Sequence, residues 1–192
     1  MRPTRLEAFS DGVIAILITI MVLEFKTPDG HDWTALRALG PKLCAYVLSF
    51  VIIGIYWSNH HHMIHMTERV NGAILWMNLH LLFWLSLIPF GTAWVGDTKV
   101  ASVPTATYGV ILMCAGIAYY VLETTIIRSQ GPHSRLKSAV GSDAKGIASV
   151  VLYAAAIAVA FVNPWVAEAV YLGVAVMWLV PDPRIERRVR HE

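Results

Sequence analysis

The feature that most constrains this chain is the run that begins at Val13 and stays apolar to Leu23, broken only by Thr19. A helix of roughly 20 residues crosses a bilayer core, so residues 6–25 are expected to form a first membrane span. A secretory signal would have a shorter apolar core and a small-residue cleavage site after it. The stretch Thr19-Ile-Met-Val-Leu-Glu-Phe25 offers none, and the span is read as retained. A compact polar cluster, Arg5, Ser10 and Asp11, stands directly ahead of the run. Asp11 falls one or two helical turns inside the membrane boundary, where an ionisable side chain is costly and points by default to function.

The rest of the chain agrees with a membrane protein. Of its 192 residues 56% are hydrophobic and only 15% charged. The polar connections are too short to build a second domain. Cys44 and Cys114 both sit in apolar runs and are expected to be buried thiols, outside any disulfide or metal site. Nothing in the composition supports nucleic-acid binding.

Apolar segments separated by turn-rich polar stretches predict an all-α protein with six spans, at about 6–25, 41–64, 72–94, 104–127, 146–162 and 165–180. Six spans place both termini on one side. Taking that side as inside, the inner segments hold eleven Lys and Arg (Arg2, Arg5, Arg69, Arg128, Arg135, Lys137, Lys145, Arg184, Arg187, Arg188 and Arg190). The outer loops hold four, Lys26, Arg37, Lys42 and Lys99. Cytoplasmic termini in a plasma membrane follow from that asymmetry. Asp11 and the cluster His60-His61-His62-x-x-His65 then lie at the same, inner, end of the bundle. The basic tail reads as a topology signal, with anionic-lipid binding as the alternative.

At about 100° per residue, Ile16, Thr19, Ile20 and Leu23 fall on one stripe of the first helix, and Asp11 points about 140° away from Ile16. The stripe and the polar cluster must therefore face different neighbours. By periodicity alone the stripe is ordinary helix packing, and a mid-helix Thr such as Thr19 bonds its own preceding carbonyl. Asp11 needs donors close by, because an unpaired carboxylate would be expensive here. Trp57, Asn59, His60, His61 and Asn78 are the candidates. In the plain reading Asp11 and Arg5 lock helices together; in the other Asp11 carries protons. His61 and His65 share a helical face compatible with a metal pair, yet the chain has one histidine cluster and no H-E-x-x-H motif. A satisfied helix-end cluster is the simpler account, and no metal site is expected. Glu123 and Glu168 are ends of spans or bundle-facing groups whose partners the sequence does not show. No catalytic constellation, phosphate-cradling glycine loop or Thr-Val-Gly-Tyr-Gly filter is present, and no enzymatic activity is expected.

Arg5-x-x-x-Phe9-Ser10-Asp11, running into Gly-Val-Ile-Ala-Ile, resembles the signature of the lysosomal potassium-channel family in its bacterial single-repeat branch. Tyr56-Trp57-Ser-Asn-His60-His61 resembles that family's second-helix motif, and Asn78 followed by Ile88-Pro89-Phe90 its third. The last three spans match in number and length only. The resemblance implies a homotetramer of six-helix subunits whose first helices line a central pore narrowed by apolar side chains. Carried over, Ile16 is the constriction, Ile20 and Leu23 are further rings, and Thr19 adds a hydroxyl ring. Arg5, Phe9, Ser10, Asp11, Trp57, His60, His61 and Asn78 form the scaffold. The chain departs from the pattern in His62 and Gly12. An apolar collar of this kind dewets and blocks ions until it widens. The expectation is a passive, potassium-permeable leak channel that needs no cofactor. The rivals are a proton-coupled secondary transporter working through Asp11 and the histidines, and a membrane metalloenzyme built on the histidine cluster.

Overall fold

The structure, a computed structural model, describes residues 2–28, 30–131, 134–140 and 144–179. Val180, expected to close the sixth span, and the basic tail at 184–190 lie outside the described residues. Every regular element among the described residues is helical.

Helix α1 spans Pro3–Ile20, with Pro3 in the first turn where a missing N–H costs nothing. A single 3-10 turn, Met21–Glu24, continues it and is closed by Phe25 N–H donating to the Val22 carbonyl at 3.1 Å. Helix α2 (Trp33–Ala38) is one short piece, capped by Asp32, whose Oδ1 accepts from Ala35 N at 2.9 Å. Helix α3 (Gly40–His65) runs 26 residues. Helix α4 (Gly72–Ser86) is capped by Asn71, which accepts from Ile74 N at 3.0 Å.

The expected third span is divided. Helix α4 ends at Ser86 and α5 (Ile88–Asp97) begins after Leu87. Pro89 is the reason, because it has no N–H to donate and its ring crowds the carbonyl four residues back. Helix α6 (Ser102–Gln130) is the longest at 29 residues. A short α7 (Arg135–Val140) precedes the hairpin of α8 (Ala144–Val159) and α9 (Pro164–Leu179). Asn163 makes the hairpin turn, accepting Trp165 N at 3.1 Å.

Four stretches are long and apolar enough to cross a membrane: Pro3–Glu24, Gly40–His65, Gly72–Asp97 and Ser102–Gln130. Helices α8 and α9 have 16 residues each. That is about 24 Å of helix, short of a hydrocarbon core of roughly 30 Å.

Helix α6 is the hub and packs on α4, α5, α8 and α9. Its small residues let neighbours approach closely. A Cβ at Gly109 would collide with the Tyr171 hydroxyl and lie 2.7 Å from that ring's Cζ. In the space left free, the Tyr171 hydroxyl donates to the Thr105 carbonyl at 3.2 Å. A buried knot ties α3, α5 and α6 together, with Ser49 Oγ 2.6 Å from Thr92 Oγ1 and 2.7 Å from the Tyr108 hydroxyl. Near it, Lys42 pairs with Asp97 at 2.7 Å. One expectation fails here, since Cys44 is exposed and Cys114 half-buried, both as free thiols. Their helices are apolar nearly all round, so polarity does not mark which side of the helix faces inward.

Candidate functional site: a clamped first helix with one open face

Two faces of α1 do different jobs. Leu6, Ser10, Ile14, Leu17 and Met21 form its buried stripe, spaced by three or four residues. Ser10 is the polar member. Its hydroxyl donates to the Leu6 carbonyl at 2.9 Å, which satisfies the proton within the helix. The oxygen then accepts from Asn78 Nδ2 at 3.0 Å, and Asn78 Oδ1 lies 2.7 Å from His60 Nε2. Ser10, Asn78 and His60 are all fully buried. Because Asn78 presents its carbonyl oxygen, His60 must donate from Nε2. Its Nδ1 is buried without a hydrogen-bond partner among the described residues. A short polar chain thus runs from α1 through α4 to α3.

Two further links flank that chain. Trp57 donates its indole N–H to Asp11 Oδ1 at 3.0 Å, and His61 Nδ1 meets Glu7 Oε1 at 2.7 Å. Glu7, Ser10 and Asp11 stand at i, i+3 and i+4, so all three reach toward α3 and α4. Glu7 is the member of these links that the reading of the sequence passed over. Its spacing from Ser10 and Asp11 was the available signal. The consecutive histidines separate because each residue turns the helix by about 100°. His60 points into the core, His61 toward α1, and His62 is exposed. His65 stacks on His61 with ring centroids 6.1 Å apart.

The scaffold set is therefore brought together except at two positions. Arg5 is exposed and pairs with none of the others. Phe9 is exposed too and lies seven residues before Ile16, on the same stripe of the helix. That stripe is the open face. Ile16 is 62% exposed, Ile20 44% and Leu23 77%, with Thr19 exposed among them. No other described residue of the chain covers it. The Thr19 hydroxyl donates within its own helix, to the Ala15 and Ile16 carbonyls at 3.0 and 3.1 Å. Its proton is committed, but its oxygen keeps a lone pair on the open face.

Of the two unassigned acids, Glu123 is buried on α6 and Glu168 half-buried on α9. Glu168 Oε1 has no hydrogen-bond partner among the described residues. No group of three or more His, Cys, Asp or Glu side chains among the described residues is arranged to hold a metal ion.

An all-helical bundle, among the described residues, that holds one apolar helix from one side and leaves its other side bare defines a multi-pass membrane protein. Comparison with known proteins narrows this. Residues 5–89 match the family described as Endosomal/lysosomal potassium channel TMEM175. A relative named potassium channel HX13_20290, from Chryseobacterium sp. (strain P1-3), is 50% identical over 190 residues, covering 99% of both chains. The chain belongs to the TMEM175 family. A crystal structure of a lysosomal potassium-selective channel TMEM175 homolog from Chamaesiphon minutus has the same fold. The TM-score is 0.79 at 28% identity, over 93% of this chain and 96% of that one. The human relative, named endosomal/lysosomal proton channel TMEM175, is 36% identical over 92 residues, which are 41% of this chain and 18% of that protein.

Proposed function

We propose that this protein is a passive potassium channel in which four copies of α1 surround a central pore. The observation that carries the reading is the bare stripe of Ile16, Thr19, Ile20 and Leu23, opposite a buried stripe held by three polar links. Four apolar side chains at each level make a collar that excludes water when narrow, and the ion's cost of shedding its own hydration sets the barrier. Thr19 contributes an oxygen beside the collar, which favours the weakly hydrated potassium ion over sodium to a modest degree. The clamp of Ser10, Asp11, Trp57, His60, His61 and Asn78 fixes the rotation of α1 and so decides which residues meet the axis.

In this account all six spans cross a bacterial plasma membrane, α8 and α9 as a short hairpin, with both termini in the cytoplasm. The Lys and Arg distribution supports that orientation. A nearly full-length relative named a potassium channel supports the ion.

Proton passage through the same pore is the second reading, favoured by the printed name of the human relative. A proton-coupled transporter fits less well, because Asp11 is held by the indole of Trp57, a donor that does not titrate. The test is potassium flux into liposomes containing the purified protein, with no pH gradient, beside a lumenal pH dye. Potassium entry at zero gradient supports the channel. Entry only under an imposed proton gradient rejects it.

A further inference from the structure

Beyond the buried clamp, the histidine cluster of α3 leaves a pair open to solutes. His61 and His65 stand at i and i+4 on one helical face, with rings inclined by only 17° and centroids 6.1 Å apart. The His61 side chain is 46% exposed, and His65 is exposed. His61 is the fixed member. Its Nδ1 donates to Glu7 Oε1 at 2.7 Å, and the ring of Trp57, one turn earlier, lies 6.5 Å away. With Nδ1 committed, Nε2 is the nitrogen left with a lone pair to give. A carboxylate behind an imidazole fixes its tautomer and raises the basicity of the other nitrogen, and metal-ligating histidines are backed in this way. Exposed His65 is the adjustable member.

Imidazole nitrogens suit the late first-row divalent ions. Two histidines at i and i+4 are also the pair that holds zinc on the helix of H-E-x-x-H proteins. We propose that His61 and His65 together bind one such ion, Ni2+, Cu2+ or Zn2+. Metal–nitrogen bonds of about 2.0–2.1 Å require the two rings to draw in, which a turn of the His65 side chain supplies. Among the described residues no group of three or more His, Cys, Asp or Glu side chains closes around a metal. Water therefore completes the ion's shell, and the ion is an exchangeable regulator rather than a structural part. Its target is the contact between α1 and α3. A metal on Nε2 makes the Nδ1–H a stronger donor, so binding tightens His61 on Glu7 and couples metal concentration to the hold on α1. The site needs that contact and not the proposed pore.

The test uses the full chain in detergent, purified without a polyhistidine tag. Ni2+ is titrated by calorimetry, and Cu2+ is the probe for electron paramagnetic resonance. One saturable ion per chain is expected, with two nitrogen ligands in the copper spectrum. His61→Ala and His65→Ala should each weaken Ni2+ by at least about tenfold, while His62→Ala leaves it unchanged. Glu7→Leu should weaken it by about 10–100-fold, the usual cost of losing the group behind a ligating histidine. By linkage the same factor measures how far the metal strengthens the contact. If Glu7→Leu fails to give a monodisperse protein, Glu7→Gln replaces it, with a loss of about tenfold expected. No saturable binding, full affinity in either His61→Ala or His65→Ala, or affinity lost in His62→Ala overturns the site. Full affinity in the Glu7 variant overturns the coupling to α1.

Discussion

His60 Nε2 stands 2.7 Å from Asn78 Oδ1 with both side chains fully buried, and through Asn78 the contact extends to Ser10 on α1. Removing the middle member strands a donor in the core. Asn78→Leu is expected to cost about 1–3 kcal/mol, the penalty for an unsatisfied buried polar group. The double variant His60→Leu/Asn78→Leu should recover part of that loss, because replacing both partners by apolar groups is far cheaper than orphaning one. Thermal unfolding midpoints in detergent, followed by size-exclusion chromatography, measure both. A double variant no more stable than the single would mean that shape, not the hydrogen bond, matters at this position.

The Glu7–His61 contact predicts a smaller effect despite its equal length of 2.7 Å. The His61 side chain is 46% exposed, so water and salt compete for it. Glu7→Gln is expected to change stability by less than about 1 kcal/mol. A shift in midpoint as large as that of Asn78→Leu would show that the contact is more sheltered in the assembled protein than in one subunit.

Asp11 separates a scaffold from a proton carrier. Asp11→Asn keeps an oxygen to accept the Trp57 indole and is expected to leave potassium flux close to wild type. Trp57→Phe removes the donor and should destabilise the protein by about 0.5–1.5 kcal/mol, since Trp57 is 47% exposed and water competes for the contact. Loss of all transport in Asp11→Asn, with the fold intact by chromatography, would place the carboxylate in the transport step.

Gly109 is the position where α6 admits Tyr171. Gly109→Ala is expected to cost about 1–3 kcal/mol, in the range for overpacking a well-filled core. Tyr171→Phe should not relieve it, since the added carbon would still lie 2.7 Å from Cζ. The same melting assay reads this. An unchanged midpoint in Gly109→Ala would show that α9 moves aside freely.

Much of this arrangement was legible in the sequence, and for identifiable reasons. The apolar runs fixed where helices form, and a count at about 100° per residue set Ile16 and Asp11 on different sides of α1 before any coordinates. That Asp11 needs a donor followed from the cost of leaving a carboxylate unpaired, but Trp57 was one of five candidates and only the packing of α3 on α1 selects it. Local pattern could not say which of three adjacent histidines turns inward, because that depends on where Asn78 stands on another helix. The break at Leu87 was readable from Pro89 but is easily lost inside a hydrophobic run. Cys44 misled because a membrane helix can be apolar on the side that faces out.

The most direct measurement is passive potassium flux in liposomes for wild type, Ile16→Asn and Val151→Asn. Val151 is an exposed apolar residue on α8, a helix that packs on α6 and α9. Asn at 16 should wet the collar and raise flux by at least about tenfold, a barrier change of roughly 1.4 kcal/mol, while Val151→Asn leaves flux at the wild-type level. Equal flux in all three proteins would contradict a pore lined by α1.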